Sequence, residues 1–449
     1  MTTRRDLLHA AATLPLAAVG TAHAATPRAK PVDLGFLRGN ALLNRERASA
    51  QMRREGLVAL LVSRAANVFY LTNTWPLLER MGGQGTAFAV LPADPQAPIA
   101  LVMGQFSYYY GVNDDPLPGI VKPFLYTSAA DAAATGGAEP AAAPPRMFRV
   151  IDEAALLPRE RARRLSSEAA APFSAAPRWA LARALRELKL ESGRIGVDDW
   201  LAQDALALAA PSLVPARAED TLRRIRRVKS ETEVRLMRLA AQSNADAALA
   251  AARATREAGS MRAVRARYYS EATQRGLRPV FMVVDGVTSD AYDEPLRDGQ
   301  SFLIDCVSSL QNYHGDFART VIIGEPAPRM AMATRAIALC WDEIRAALRP
   351  GMRYAAIRDL GNATLKKFNL DVQVGFTPHS VGLWHGDEPR TAEDGGPVDP
   401  VVDEGMILSV DCPVFDQGAG GTAHLEDLSL ITAAGAQLIN SPEHRTIQV

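Results

Sequence analysis

Cysteine, aromatic side chains and net charge are all scarce in this sequence. Three cysteines in 449 residues are too few, and odd in number, for a disulfide framework. Cys306 and Cys412 each follow an aspartate on a predicted strand, so we expect buried thiols that face away from those aspartates. Lysine plus arginine and aspartate plus glutamate each total 50, and aromatic residues make up 6%. With no basic stripe and no interleaved aromatic residues, we expect no nucleic-acid partner.

The N-terminus lacks an apolar run long enough to anchor the mature protein in a membrane. Its apolar stretch, Ala10 to Gly20, is too short to span a bilayer permanently. The stretch follows Arg4-Arg5 and precedes Ala22-His23-Ala24, so residues 1–25 resemble a twin-arginine signal peptide. This pattern predicts a periplasmic protein, exported by the twin-arginine route, with no stable membrane anchor after cleavage. The alternative is a poorly ordered, alanine-rich N-terminus of a cytoplasmic protein.

The length and the order of the predicted elements indicate two domains. Residues 35–217 are predicted to form an α/β domain, with a mobile loop near 127–145 that is rich in alanine, glycine and proline. The predicted strands of this domain are Leu57–Val62, Asn67–Leu71, Thr86–Leu91, Ile99–Met103 and Gly193–Val197. One helix is predicted to end near Glu55, and another to cover 201–210.

A basic segment separates the two predicted domains. We interpret residues 218–230 as a solvated linker and not as a nucleic-acid patch. Ser230 and Glu233 have the spacing of a capping box, which predicts a helix from about Glu231. The second domain, 231–449, is predicted to mix helices and hairpins, so that the fold class is α+β. Its clearest later helices are Met330–Leu348, which should stop at Pro350-Gly351, and Tyr354–Lys367.

Two aspartates of the second domain face each other if the apolar runs around them pair as a hairpin. With a turn at Leu310–Gln311, Asp305 and Asp316 lie directly opposite on one face of the ladder. Their Cβ atoms would then be roughly 5 Å apart. Like charges in this position destabilise a hairpin, by an energy on the order of 3 kcal/mol at an effective dielectric constant near 20.

Asp411 and Glu426 repeat the arrangement further along the chain. Their predicted strands, Met406–Phe415 and Ala423–Ile431, flank a turn centred on Gly418–Ala419. Two opposed acidic pairs in one domain call for a counter-charge, and a divalent metal ion supplies it. The alternative interpretation is that one or more of these carboxylates faces solvent or forms a salt bridge.

Four of the five histidines of the mature chain lie on or beside these strands, and none lies between residues 24 and 313. The four are His314, His379, His385 and His424. A lone histidine on an apolar face is usually structural, but this concentration favours a site. His379 can supply a nitrogen ligand, and the other three are placed to contact substrate or to transfer protons, with a structural role as the alternative for each.

These motifs resemble the prolidase, aminopeptidase P and creatinase family over roughly residues 40–449. The matching segments are Asp298-Gly299 leading to Leu303-Ile304-Asp305, Asp316-Phe317-Ala318-Arg319-Thr320, Pro378-His379-Ser380-Val381-Gly382-Leu383, Gly405-Met406 through Asp411, and Glu426-Asp427. The resemblance implies a C-terminal "pita-bread" domain behind a creatinase-type N-terminal α/β domain. It also implies a homodimer that acts on short peptides.

The resemblance further implies two adjacent divalent ions, commonly manganese, cobalt or zinc in this family. Their ligands would be Asp305, Asp316, His379, Asp411 and Glu426. A hydroxide bridging the ions would attack the scissile carbonyl, next to proline, and the ions would hold the oxyanion. Asp411 would double as the base, and His385, with His314 or His424, would position substrate. Oxygen-rich ligation with one imidazole suits manganese best.

The sequence departs from the family pattern in ways that keep other functions open. Asp411 stands where the family usually has glutamate, and a histidine expected within Ser289–Leu296 is absent. His424 replaces the arginine of an R-x-E-D segment, and His385 follows His379 one residue sooner than is typical. The alternatives are a creatinase-like C–N hydrolysis or lyase reaction on a small molecule, or a non-catalytic binding protein that kept the fold.

Overall fold

A computed structural model of the protein describes residues 32–111, 117–127, 139, 148–391, 398–440 and 444–449. The predicted signal peptide at 1–25, and all of the predicted loop at 127–145 except residues 127 and 139, lie outside the described residues. Among the helices described, none combines the length and the apolar character that crossing a bilayer requires.

The N-terminal half is built on a six-stranded mixed sheet. Its strands are β1 (Ala59–Val62), β2 (Ala87–Pro92), β3 (Ile99–Gly104), β4 (Val121–Tyr126), β5 (Gly193–Val197) and β6 (Leu213–Arg217), in the spatial order β4-β3-β2-β1-β5-β6. Its helices are α1 (Arg45–Arg54), α2 (Ala65–Thr72), α3 (Gln105–Gly111), α4 (Pro158–Ala169), α5 (Pro177–Glu187), α6 (Trp200–Ala209) and α7 (Glu219–Arg227). Short 3₁₀ turns lie at Gly35–Leu37 and Leu77–Met81.

Both faces of this sheet are covered, as an α/β domain requires. Successive residues of β1 belong to different apolar clusters: Leu60 and Val62 pack on one face, and Ala59 and Leu61 on the other. All four are fully buried. Because side chains alternate along a strand, two buried faces produce a continuous apolar run with no polar alternation.

One predicted strand, Asn67–Leu71, is wrong, because this segment lies within helix α2. Every residue from Ala66 to Thr72 is buried, and Asn73 ends the helix in a left-handed conformation with φ of 55°. A short apolar run that is buried all round has no polar face to reveal its period, so its sequence does not distinguish helix from strand.

The predicted solvated linker at 218–230 is also wrong, because most of it forms helix α7. Arg226 on this helix is fully buried, and its guanidinium donates to both oxygens of Asp387 in the C-terminal half. Arg226 also donates to the side chain of Asn67 in the N-terminal half. The segment is therefore a packed connection that joins the two halves through a buried charge.

The C-terminal half contains two four-stranded sheets, each with helices on one face. The helices are α8 (Glu231–Arg253), α9 (Thr255–Ala258), α10 (Met261–Gln274), α11 (Pro328–Ala347) and α12 (Tyr354–Lys367). The strands are β7 (Arg278–Val284), β8 (Ser301–Leu310), β9 (Tyr313–Ile322), β10 (Thr377–Ser380), β11 (Ile407–Asp411), β12 (Ser429–Thr432), β13 (Gly435–Leu438) and β14 (Thr446–Gln448). The sheet orders are β14-β9-β8-β7 and β10-β11-β12-β13.

The predicted helices of this half are confirmed. Ser230 caps α8: its hydroxyl accepts from Glu233 N–H at 3.1 Å, and its own N–H donates to the Glu233 carboxylate at 2.8 Å. α8 and α10 pack on the first sheet, whereas α11 and α12 pack on each other and against the second. The mixed α+β class follows.

The open face of each sheet carries the acidic residues, and these two faces meet at the candidate site.

Candidate metal centre

The first carboxylate hairpin, β8–β9, has a different register from the predicted one. Asp305 pairs with Ala318, and Asp316 pairs with Val307, so the two acidic residues are diagonal neighbours. The prediction that they are direct partners is therefore wrong. The difference amounts to two residues, and because side chains alternate between faces, both carboxylates still lie on the same face.

The turn of this hairpin accounts for the difference. Leu310 pairs with Tyr313, which leaves Gln311 and Asn312 as the loop. Both loop residues have positive φ, 47° and 65°, as a two-residue type I′ turn requires. The predicted turn lay one residue earlier, and moving the centre of a hairpin by one residue changes every partner by two.

The second carboxylate hairpin keeps the predicted register but not the predicted strand lengths. Ile407 pairs with Leu430 in the ladder between β11 and β12, and beyond it Val414 N–H donates to the Ala423 carbonyl at 2.9 Å. These pairs follow the turn predicted at Gly418–Ala419. The strand predicted over Ala423–Ile431 is nevertheless wrong, because β12 covers only its end.

Glu426 leaves this hairpin and joins the first sheet. Its N–H donates to the Ala318 carbonyl at 3.1 Å, and its carbonyl accepts from Ala318 N–H at 3.4 Å. Ala318 is the ladder partner of Asp305. This backbone bridge therefore places the Glu426 side chain beside the first acidic pair and unites both hairpins in one site.

All five side chains predicted as metal ligands come together. Nε2 of His379 lies 3.1 Å from Asp411 Oδ1, 3.7 Å from Asp316 Oδ2 and 3.7 Å from Glu426 Oε1. Potential ligand atoms of Asp305, Asp316 and Glu426 lie within 4.8 Å of one another, as do those of His379, Asp411 and Glu426. Such distances allow shared coordination of ions by neighbouring groups.

The burial and the like charges of the acidic residues favour a bound cation. Asp305 Oδ1 and Asp316 Oδ1 are buried and receive no hydrogen bond, and Asp316 Oδ2 faces His385 Nε2 at 3.0 Å. Burial, with the charges of Asp316 and Asp411, raises the pKa of Asp305 to about 8, and burial with Asp316 raises the pKa of Glu426 well above its usual range. Unpaired buried carboxylates are costly, and bound cations remove that cost.

A buried arginine beside the cluster pairs with a carboxylate outside it. Arg319 donates to both oxygens of Asp427, at 2.8 and 2.9 Å, and to the Glu426 carbonyl at 2.7 Å. Both side chains of this ion pair are fully buried. Arg319 therefore holds the Glu426 segment against β9 and does not neutralise the acidic cluster. The motifs D-x-x-R-T and E-D contain these two residues, but their contact was not predicted.

Ser409 is a further residue of the site that the sequence did not single out. Its hydroxyl donates to Glu426 Oε1, and it is the ladder partner of His379. The only available signal was its position two residues before Asp411, which puts both side chains on one face of a strand.

The three remaining predicted histidines occupy different positions. His385 lies inside the cluster, with Nε2 3.0 Å from Asp316 Oδ2 and a side chain 40% exposed. His424 is buried, with Nε2 3.7 Å from Glu426 Oε2, and burial lowers its pKa. His314 lies outside the ligand groups: Nδ1 donates to the Gly382 carbonyl at 3.2 Å, and burial lowers its pKa also.

The predicted cysteine orientation is confirmed. Cys306 and Cys412 are fully buried in different apolar clusters, and neither belongs to the candidate ligand groups of the described residues. Burial raises the pKa of both thiols well above the usual range. A thiol that stays protonated is a poor metal ligand.

Two family models match this chain. Residues 235–433 match the description "Metallopeptidase family M24", and residues 44–154 match "Creatinase/Prolidase N-terminal domain". The chain is 31% identical over 267 residues to "Probable dipeptidase PepE" of Mycobacterium bovis, which covers 56% of this chain and 69% of the relative. It is 22% identical over 240 residues to an Xaa-Pro dipeptidase of Pyrococcus horikoshii, covering 51% and 67%.

Solved structures share the architecture of both halves. A dipeptidase from Pyrococcus horikoshii OT3 superposes with a TM-score of 0.62 at 16% identity, covering 90% of this chain and 99% of the other. A prolidase from Pyrococcus furiosus gives a TM-score of 0.58 at 17% identity, covering 88% and 100%. At these identities the likeness concerns the fold.

Proposed function

This chain belongs to metallopeptidase family M24, and on that premise we propose that it hydrolyses an amide bond next to proline in short peptides. Its fold, a pita-bread domain behind a creatinase-type N-terminal domain, agrees with the predicted one. The proline preference of an Xaa-Pro dipeptidase or aminopeptidase P finds support in a relative that is an Xaa-Pro dipeptidase.

The convergence of five ligand-type side chains on buried, unpaired carboxylate oxygens carries this proposal. Asp305, Asp316, His379, Asp411 and Glu426 would hold two divalent ions, whose charge four carboxylates balance. When bound, the ions supply an activated water and Lewis-acid stabilisation of the developing oxyanion. The oxygen-rich donor set favours manganese, with cobalt or zinc as the other candidates.

The chain's own residues would orient the reactants and accept the proton. Burial raises the pKa of Asp411 but its hydrogen bond with His379 lowers it, to about 2 overall. Asp411 is therefore ionised at neutral pH and is the proposed proton acceptor for the attacking water. His385 borders the open side, with its ring 5.6 Å from that of Phe281. Substrate would enter there. His424 faces it less directly because it is buried, and His314 because its Nδ1 is bonded to the Gly382 carbonyl.

The proposal includes a periplasmic location and a homodimer. Support for export comes from the twin-arginine pattern within residues 1–25, and support for the homodimer comes from the family resemblance alone. Size-exclusion chromatography with light scattering on the mature protein, and fractionation of cells that express the full chain, would test these two parts separately.

The central test replaces one ligand and measures metal and turnover in the same sample. We expect Asp316→Ala to lose bound metal and to lower cleavage of Ala-Pro and Xaa-Pro-Xaa peptides by at least about 1000-fold, since the ions contribute several kcal/mol of transition-state stabilisation. The far-ultraviolet circular dichroism should stay unchanged. Asp371→Ala is the matched control, because the Asp371 side chain is 92% exposed.

Three outcomes would contradict the proposal in different ways. Full metal content in Asp316→Ala would refute the ligand assignment. A wild-type protein that binds no divalent metal at micromolar concentration would instead be a non-catalytic member of the fold. Turnover of small amidines without turnover of Xaa-Pro peptides would favour C–N hydrolysis of a small molecule.

A further inference from the structure

Two exposed arginines, one from each half of the chain, lie where the β8–β9 hairpin turns. Arg278 begins β7, and Arg80 belongs to the 3₁₀ turn Leu77–Met81. Nη2 of Arg80 donates to the side chain of Asn312 in the hairpin loop at 3.1 Å, and its guanidinium lies 4.9 Å from the ring centre of Trp75. Among the residues that the structure describes, no acidic side chain forms an ion pair with either arginine.

A β-bulge turns Arg278 toward the face that carries the candidate metal ligands. Arg278 pairs with Ser309 and Phe281 pairs with Val307, so three residue steps of β7 match two of β8. Ser309 shares a face with Asp305, because successive side chains of a strand alternate. Without the extra residue of the bulge, Arg278 would face the helices on the other side of the sheet. Bulges next to active sites commonly redirect a side chain in this way.

The spacing along the strands fits a short peptide. Phe281, Val307 and Asp316 lie side by side across the sheet, at the candidate metal centre. Arg278 lies one strand repeat further toward the turn, about 6.8 Å away. Two residues of an extended peptide span about 6.6–7.2 Å. A tripeptide with its first carbonyl at the metal centre would therefore bring its terminal carboxylate to Arg278.

The charges around this position favour an anion. Burial above all, and then the charge of Arg278, lowers the pKa of Arg80, so the two guanidiniums act on each other. An anion between two such groups removes their repulsion, and a guanidinium binds a planar carboxylate through two parallel hydrogen bonds. His314, the ladder partner of Ser309, adds no charge at neutral pH, because burial lowers its pKa.

We propose that Arg80 and Arg278 form a subsite for the terminal carboxylate of a tripeptide substrate, two residues beyond the cleaved bond. The inference rests on the proposed peptidase function and adds a preference for substrate length, since a dipeptide would end one residue short of the arginines. Because each half of the chain supplies one arginine, the N-terminal half takes part in substrate selection.

The test compares the tripeptide Ala-Pro-Ala with its C-terminal amide, which lacks the negative charge. The wild-type KM should be at least about 10-fold lower for the free acid, because hydrogen bonds between charged groups are the stronger ones. Arg278→Gln and Arg80→Gln should each remove most of this difference by raising the KM of the acid. They should leave the KM of the amide and both kcat values unchanged, as expected for an interaction equal in the ground and transition states.

Two further variants separate the charge from other effects. Arg278→Lys keeps a positive charge and should recover most of the preference for the free acid. Arg329→Gln removes an arginine of helix α11 that is 46% exposed, and should change neither KM value. Arg80 and Arg278 are exposed, so their variants should fold.

Binding of a product dipeptide supplies a readout that needs no turnover. In isothermal titration calorimetry with metal-loaded protein, Pro-Ala should bind at least about 10-fold more tightly than its amide. Arg278→Gln should abolish this difference, and Arg329→Gln should keep it.

The possible results separate this inference from the proposed function. A wild-type protein that cleaves neither tripeptide, yet prefers Pro-Ala to its amide through Arg278, would overturn the function and support the carboxylate subsite. Arginine variants that raise the KM of acid and amide alike would overturn the inference alone. A larger effect of Arg278→Gln on Ala-Pro than on Ala-Pro-Ala would overturn the assigned substrate length.

Discussion

Removing one partner of the buried ion pair between Arg226 and Asp387 should strongly destabilise the protein. The guanidinium Nε lies 3.0 Å from Asp387 Oδ2, and Nη2 lies 2.8 Å from Oδ1. Both side chains are fully buried. Asp387→Ala leaves a guanidinium without its main counter-charge in a site that water does not reach, and this is the costly way to break such a pair.

The magnitude follows from what remains around the stranded charge. Breaking a buried pair costs about 3–5 kcal/mol. Arg226 would keep Glu219, 3.6 Å away and 20% exposed, and its hydrogen bond to Asn67. We therefore expect the lower end, about 3 kcal/mol. Arg226→Met should cost a similar amount, because Asp387 would lose its bidentate partner and keep Arg223, 3.9 Å away, and the charge of Lys229.

A double-mutant cycle separates the pair from simple packing. The double variant Arg226→Met/Asp387→Ala leaves neither charge buried, so the coupling energy should be at least about 2 kcal/mol. The assay is urea unfolding in the presence of chelator, because bound metal would add its own stabilisation. Arg227→Met is the control on the same helix: its pair with Asp403 is 19% and 31% exposed, and such pairs contribute about 0.2–1 kcal/mol.

Two results would refute this reasoning. If Asp387→Ala changed the unfolding free energy no more than Arg227→Met did, then burial would not determine how strongly an ion pair stabilises this protein. If the single variants simply added in the double variant, then Arg226 and Asp387 would act through packing alone.

Two further predictions concern α8 and its neighbours. Burial above all raises the pKa of Glu233 to about 7, above its value of about 4.3 in an unfolded chain, so the folded state binds more protons between these values. The unfolding free energy should then fall as pH rises from about 4.3 to 7. In urea unfolding, Glu233→Gln should remove the part of this fall that Glu233 causes. Wild-type and variant unfolding free energies with the same pH dependence would contradict the assignment. Gly315→Ala would place Cβ 2.6 Å from the Ala240 carbonyl oxygen, which should cost about 1–3 kcal/mol and lower metal content by displacing Asp316. Gly111→Ala, with nothing within 4 Å, is its control, and equal stability of the two variants would contradict the steric argument.

Helices with local signals were predictable from the sequence. Ser230 and Glu233 form the expected capping box at the start of α8, and α12 has the predicted bounds, Tyr354–Lys367. A cap or a Pro-Gly stop acts within one turn of the residues it affects, so the local sequence contains the needed information. Helix α2 has no polar face to contrast with an apolar one, because neighbours from other parts of the chain bury all its sides.

Buried charge was not predictable. The arginines of α7 look like a solvated basic run, since charged side chains are rarely buried without a partner. The partner of Arg226 is Asp387, 161 positions later, and no pattern in either segment points to the other. The same holds for Arg319 and Asp427, which are 108 positions apart.

The site was predictable although the geometry of its hairpins was not, and the parity of β-strands explains this difference. The turn at Gln311–Asn312 moved the partners of Asp305 and Asp316 by two positions, and a shift by an even number leaves both side chains on the same face. A shift by one would have turned a single carboxylate away and dispersed the cluster. Glu426 then bridges Ala318, so the face that parity preserves is also the face that receives the second hairpin. Prediction of which residues share a site therefore needs only the face of each strand, whereas prediction of their distances needs the backbone angles of the turns.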